Sequence, residues 1–329
     1  MRILVLGGTA WLGREVARAG LAAGHDVTCL ARGESGEVAD GARLVVGDRS
    51  EATGYAGLGA RTWDLVVDVA RQPRQVRTAV EVLAGRAGHW AFVSSGSVYA
   101  DHEPQRRDES TPLLPAYAGE VAPQEAYGEG KVACEQLVLA ALDGRALVAR
   151  AGLIAGPGDA SDRVGYWPGR FALAAEDGSP VLMPERRDRA CQLVDVRDLA
   201  AWLVDAGLRG VSGTVNAAGD VTTLGAVLDA SAEVAAYDGP TVTLGDAALQ
   251  AAGVEEFMGP RSLPLWIADP EWAGFMSLDT TRARAAGLDP RPVAQTLTDA
   301  LAWERELGLA RTGRRAGLDR GDELAILCS

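Results

Sequence analysis

Tyr127 and Lys131 stand four positions apart in the stretch Ala126-Tyr127-Gly128-Glu129-Gly130-Lys131. That spacing puts a phenol and an ammonium on one face of a helix, one turn apart. A free phenol has a pKa of about 10, too high for an efficient base near neutral pH. A neighbouring ammonium favours phenolate, and each unit of lowering corresponds to ~1.4 kcal/mol. The pair could therefore exchange a proton with an oxygen on a substrate. Lys131 is the only lysine in the chain, every other strongly basic side chain being arginine. A composition that avoids lysine elsewhere suggests that this position needs a compact, rotatable ammonium rather than any positive charge. Taken alone, the spacing also fits an exposed helix residue beside an aromatic one, so the surrounding elements decide.

The apolar run Arg2–Leu6 reads as a strand and enters Gly7-Gly8-Thr9-Ala10-Trp11-Leu12-Gly13, after which a helical pattern runs from Arg14 to about Gly24. Strand, glycine turn and helix together present free backbone N–H groups at a helix start, where the dipole also favours an anion such as a pyrophosphate. Gly7 and Gly13 keep the outer positions of a GxxGxxG pattern, with Ala10 in the middle, and Thr9, Trp11 and Leu12 complete the turn. Arg32 follows the second strand (26–30), where an acid would select NAD and an arginine can pair with a 2′-phosphate. NADP(H) is therefore expected over NAD(H), the alternative being a solvated loop arginine. Asp48 and Arg49 follow a third strand (43–46), and Asp48 could accept from an adenine amino group or simply cap a turn. Ala70 ends the next strand, near where the middle of a dinucleotide would pass. Ser95 and Ser97, at the end of the strand 90–93, project into the crevice where open α/β sheets bind ligands, or satisfy their own turn. A long polar loop, 101–124, separates them from Tyr127 and has the length of a substrate-facing lid.

A chain of 329 residues exceeds the usual ceiling for one core and implies roughly two domains. The strand–helix alternation predicts an α/β fold with a doubly wound parallel Rossmann sheet over 1–155 plus about 191–220. A smaller C-terminal α/β substrate domain is expected over about 156–190 plus 221–308, with 309–329 as a peripheral, mixed-charge tail. Four cysteines without CxxC spacing and three scattered histidines predict no metal site and no disulfide framework. A net charge of −13 opposes nucleic-acid binding. No apolar run is long enough to span a bilayer, and no signal-peptide pattern opens the chain, so a cytoplasmic location is expected.

Four stretches in this order resemble the short-chain dehydrogenase/reductase superfamily, in its extended or atypical branch with sugar-nucleotide epimerase/dehydratase relatives. They are Gly7–Gly13, Phe92-Val93-Ser94-Ser95-Gly96-Ser97-Val98-Tyr99, Tyr127-Gly128-Glu129-Gly130-Lys131 and Asp195-Val196-Arg197-Asp198. The resemblance implies Tyr127 as acid/base, Lys131 as its electrostatic partner and a nicotinamide-ribose contact, and Ser95 as donor to the substrate oxygen. It also implies a homodimer built on the helices near 76–83 and 127–142, although Leu137, Val138 and Leu142 could equally pack within one chain. Two departures narrow the chemistry. Dehydratases of this branch carry an Asp-Glu pair directly after the catalytic Ser or Thr, where this chain has Gly96 and Ser97. The epimerases usually place an Asn three residues before a Gly-Pro, where this chain has Leu153 before Gly156-Pro157.

The leading expectation is an NADP(H)-dependent reductase or dehydrogenase of a small carbonyl or alcohol. The alternatives are a nucleotide-sugar epimerase and a non-catalytic cofactor-sensing or RNA-binding member. Ser97, Leu153, Tyr166 and Trp167 are the candidate substrate contacts, with Trp266 a further aromatic candidate, although aromatic residues more often belong to a core.

Overall fold

The computed structural model describes residues 1–328. Short apolar runs form β1 (Arg2–Leu6), β2 (Asp26–Ala31), β3 (Arg43–Val46), β4 (Trp63–Asp68), β5 (Ala87–Ser95) and β6 (Ala146–Ala151), with α1 (Trp11–Ala22), α2 (Pro73–Leu83) and α3 (Tyr127–Leu142) between them. There follow β7 (Leu153–Ala155), α4 (Arg163–Asp177), β8 (Val181–Pro184), β9 (Ala190–Asp195), α5 (Val196–Leu208) and β10 (Gly213–Ala217). The remainder holds β11 (Val221–Thr223), α6 (Leu224–Val234), β12 (Thr241–Leu244), α7 (Asp246–Ala251), β13 (Glu255–Phe257) and β14 (Ser262–Pro264). The chain closes with α8 (Thr281–Ala285), α9 (Val293–Leu307) and α10 (Arg320–Leu327).

Seven strands lie in the order β10-β6-β5-β4-β1-β2-β3, each parallel to its neighbours. Strand alternation explains the two-sided burial. Ile3 and Val5 face one side with Val67, Val93 and Leu147, under Val16 of α1 and Leu199 of α5. Leu4 and Leu6 face the other with Trp90, Phe92 and Val148, under Val76 of α2 and Val138 of α3. Strand order reverses between β1 and β4, whose ends Leu6 and Asp68 are in register, so a ligand crevice opens there.

Three smaller sheets, β11-β9-β7, β12-β8 and β13-β14, sit beyond the main one. With α4, α6 and α9 they enclose a separate apolar cluster that includes Trp167, Phe171, Leu228, Trp266 and Leu297. The mixed-charge pattern of 309–329 predicts a peripheral tail; the described part of it is instead built into that cluster. Leu318 and Ile326 are buried in it, and fully buried Glu323 pairs with Arg170 and accepts from the Leu182 N–H (2.9 Å). Alternating charge and apolar residues resemble a solvated tail because the core partners of Glu323, Arg170 and Leu182, lie 153 and 141 residues away in sequence.

Val138 and Leu142 face the sheet within one chain, whereas Leu137 is half-buried beside an open groove between α2 and α3. Among the described residues no helix is long and apolar enough to cross a membrane, and no group of His, Cys, Asp and Glu could hold a metal ion. Cys29, Cys134 and Cys191 are free and buried, and burial pushes their thiols up to about 12, which keeps them protonated and unreactive.

Candidate active site

The glycine turn meets the requirements of a pyrophosphate cradle. Gly7 adopts φ +101°, a conformation that side-chain-bearing residues rarely adopt. A methyl group on Gly13 would overlap the Gly7 carbonyl. Ala10 occupies the N-cap of α1 and offers no side-chain cap. The first-turn amides from Trp11 and Leu12 are therefore free for an anion. Ala10 itself is exposed, Thr9 is buried, and Leu12 is half-buried. The Trp11 indole reaches across and donates to the Pro157 carbonyl (2.8 Å), tying the turn to the Gly156-Pro157-Gly158 loop after β7.

Arg49 belongs to this site more closely than its neighbour. Its guanidinium lies beside Gly7 and donates to Asp68 Oδ1 (3.0 Å). Asp68, the last residue of β4, is fully buried and has one oxygen without a partner. Burial pushes its carboxyl up, against the opposing pull of Arg49 and Lys131. An acid ending a strand buried on both faces is a signal for this group that the sequence reading missed. Asp48 takes the blander of its two roles: exposed, it accepts from the Ser50 N–H (2.8 Å), which with nearby Arg32 and Arg74 holds it below the usual carboxylate range. Arg32 is exposed and paired with Glu34 (3.1 Å).

Two glycines set the position of the tyrosine and lysine. A methyl on Gly128 would strike the Ser97 carbonyl and Leu114, and one on Gly130 would lie 2.7 Å from Ala122 Cβ. Their absence lets α3 lie directly on the turn 96–98 and under the lid loop, so Gly130 repays its helix cost of ~1 kcal/mol with a close approach. Tyr127 opens α3, half-buried, and its hydroxyl has no hydrogen bond among the described residues. Lys131 is 2% exposed and donates to the carbonyls of Ala70 (2.8 Å) and Val93 (2.5 Å), over the Phe92 ring. Its ammonium is thus anchored to the ends of β4 and β5, with one N–H remaining. A guanidinium would be too large for this enclosure.

Ser95 caps the turn after β5: its Oγ accepts from the Ser97 N–H (3.2 Å) and donates to Ser97 Oγ (3.1 Å). The hydroxyl left free to donate is that of Ser97. One turn beyond Lys131, buried Glu135 holds Arg150 through two bonds (3.0 and 2.8 Å). Arg150 donates in turn to Tyr99, whose hydroxyl donates to Asn216 (2.6 Å). This chain fastens α3 to β6 and β10. Asp195 plays a similar structural part, capping α5 through the Arg197 N–H (2.9 Å) and accepting from Thr296.

Three of the expected substrate contacts do not reach the crevice. Leu153, Tyr166 and Trp167 all lie in the second core cluster, where the Trp167 indole donates to the Pro264 carbonyl (2.7 Å). Trp266 lies in the same cluster. Tyr166 and Trp167 belong to the buried face of α4, and Leu153 and Trp266 pack in the same cluster from β7 and from beyond β14. The groups the structure places near Tyr127 are Arg71, 5.2 Å from its ring centroid, and Arg163 at the start of α4, on whose charge Tyr127 acts. Neither stands out in the sequence, because arginine is scattered throughout it.

A parallel sheet with this order, a glycine turn at its switch point and a Tyr–Lys helix beside it define a dinucleotide-binding protein of the extended short-chain dehydrogenase/reductase kind. The model of the NAD dependent epimerase/dehydratase family matches residues 3–218, and the chain belongs to that family. Solved structures agree in fold. A candidate epimerase from Burkholderia cenocepacia J2315 superposes with a TM-score of 0.72 at 21% identity, covering 93% of this chain and 98% of the other. A UDP-galactose 4-epimerase gives 0.66 at 20% identity, covering 93% and 100%. UDP-glucose 4-epimerase from Thermus thermophilus, solved with NAD, gives 0.67 at 20% identity, covering 93% and 99%. No functionally curated protein matched the sequence significantly.

Proposed function

We propose that this protein is an NAD(P)-dependent enzyme that works at one carbon–oxygen centre of a sugar-like substrate, with Tyr127 as the acid–base group. Among such reactions, epimerisation is the reading that the family and its nucleotide-sugar relatives support best. The observation that carries the proposal is the placement of Tyr127: half-buried at the crevice edge, its hydroxyl uncommitted, one turn from an ammonium fixed on Ala70 and Val93. Gly7, Gly13, Trp11, Leu12 and Arg49 would hold the cofactor, whose nicotinamide, when bound, accepts or returns a hydride.

Tyr127 would take the proton from the substrate hydroxyl and later return it. Lys131, enclosed one helical turn away, is placed to stabilise the phenolate before that proton is taken and again after it is returned. Ser97, relayed from Ser95, supplies a donor to the substrate oxygen as its charge changes. The polar network from Glu135 to Asn216 keeps α3 in register with the sheet while the proton moves.

A one-way reduction of a small carbonyl with NADP(H) is the second reading. Arg32 and the apolar Leu153 favour it, although Glu34 already occupies Arg32. The two are separated by the cofactor that accompanies gently purified protein. Stoichiometric tightly held NAD supports epimerisation; an empty protein that binds NADPH supports reduction. Tyr127→Phe tests both: turnover should fall about 10²–10⁴-fold with cofactor affinity kept, and an unchanged rate would refute the acid–base role.

A further inference from the structure

Arg71 lies against Tyr127, and Arg163, at the start of α4 beyond the loop that Trp11 ties to the glycine turn, interacts with it electrostatically. Arg71, just beyond β4, lies 5.2 Å from the ring centroid and is steadied by donating to Gln124 Oε1 (2.8 Å). Arg163 comes from the second region, half-buried, its Nε donating to Ser161 Oγ (3.0 Å) and its guanidinium 5.2 Å from the Phe257 centroid.

Arg163 lacks the carboxylate partner of three enclosed neighbours; Arg189, also without an ion pair among the described residues, is instead held on the Ala268 carbonyl (3.0 Å). Arg170, Arg311 and Arg314 each face a carboxylate. Arg163 has no ion pair within 4 Å among the described residues. The nearest acid, Asp159, is engaged by the Ser161 N–H and Oγ, both at 2.8 Å. Burial outweighs the influence of Asp159 and Tyr127 on this guanidinium, so its desolvation is only partly offset within the protein.

The start of α4 is also built to keep it there. Asp162 takes φ +62° and is held at both oxygens by the tail, through Arg311 Nη2 (2.6 Å) and the Arg315 N–H (2.8 Å). Phe257, under the guanidinium, holds φ +63° through its N–H to the Trp266 carbonyl (2.9 Å). Left-handed backbone at these two residues, each held by distant partners, fixes the position of the guanidinium between them.

We propose that the substrate carries an oxyanion, a carboxylate or a phosphate, bound between Arg163 and Arg71 close to the bond that Tyr127 acts on. Phe257 supplies an apolar face beside it. Such a group sits at the reacting end of the substrate, distinct from the diphosphate position, where Leu153 is apolar and part of a core. The inference rests on Tyr127 marking the reacting end, and binding measurements separate the two.

The test is calorimetric titration of the NAD-loaded protein with inorganic phosphate and with D-glucuronate. Saturable binding of at least one anion is expected. Phosphate alone identifies a phosphorylated substrate, and glucuronate alone a carboxylated one. Arg163→Gln should weaken that binding at least fivefold and Arg71→Gln at least twofold, with Arg163→Lys retaining part of it. The affinity for NAD should be unchanged in Arg163→Gln, which also reports that the variant is folded. Neither anion binding, or equal binding to wild type and Arg163→Gln, would overturn the proposal. Tyr127→Phe should bind the anion as wild type does, so an inactive but anion-binding variant leaves both readings standing. Lost anion binding with normal Tyr127 chemistry removes only this one.

Discussion

The two walls of the crevice are held by different physics. On the sheet side, one parallel sheet brings Gly7, Asp68, Ala70 and Ser95 to its carboxyl edge, and α3 is locked there by glycine contacts and by Lys131 on two carbonyls. On the far side, Arg163 opens α4 and Phe257 ends the short strand β13, placed by a tail that clamps Asp162 and by an apolar cluster behind them. A wall made from backbone directions follows local sequence order. A wall made from packed short elements depends on distant partners, so aromatic residues that look available for a ligand, such as Tyr166 and Trp167, are drawn into the core instead.

Substitutions on the two walls should therefore fail differently. The largest effect on the sheet wall is expected for Gly13→Ala, whose methyl collides with the Gly7 carbonyl. Cofactor affinity should drop more than tenfold, with a stability loss of about 1–3 kcal/mol, read by NADH fluorescence titration and urea unfolding. Trp167→Ala should cost about 3–5 kcal/mol of stability and leave NADH affinity within twofold in the fraction that remains folded. A cofactor defect there would break the division between the walls.

The lid loop joins the two walls, and its pH response sharpens the comparison. His102 stacks on Trp272 (4.5 Å between centroids) and accepts from Arg107 at Nδ1 (2.6 Å). Burial, aided by Arg107, pushes it down to about 4. The unfolded chain takes up this proton near pH 6.5, while the folded protein resists until about 4. Stability should then fall as pH drops from 6.5 to 4, by about 1 kcal/mol once solvent screening is allowed for. His102→Gln should flatten the urea midpoint over that window.

The smallest effect is expected for Tyr166→Phe. Its buried hydroxyl faces the Leu318 backbone without good hydrogen-bond geometry, so removal should change stability by no more than about 1 kcal/mol in either direction. Turnover should be unchanged; a raised KM would return Tyr166 to the substrate site.

Much of the sheet wall is legible because its signals are local. The run from Arg2 to Gly13 specifies strand, turn and helix start within a dozen residues, and the Tyr127–Lys131 spacing needs only the helix it lies on. The solitary lysine likewise marks a place where an ammonium fits and a guanidinium does not. Asp68 escapes that reading although its position, an acid closing an apolar strand, is readable. The motif points to Ser95 as the donor, while the structure shows its hydroxyl engaged with Ser97, a local contact that the motif does not convey. Leu153 offers no polar contact, and its place is in the core.

By itself the sequence determined the doubly wound sheet, the phosphate-binding turn and the Tyr–Lys pair. Each rests on periodicity or on backbone conformation spanning a few residues. Only the tertiary structure decided which arginines lack a counterion, which aromatics are core, and that residues 309–328 help build the far wall. Those outcomes depend on charges and apolar faces finding partners across roughly 100–150 residues of chain. Thirty-one arginines of one chemical type carry no mark in the sequence of which will be left without a counterion. Burial and pairing confer that mark, and both exist only after folding.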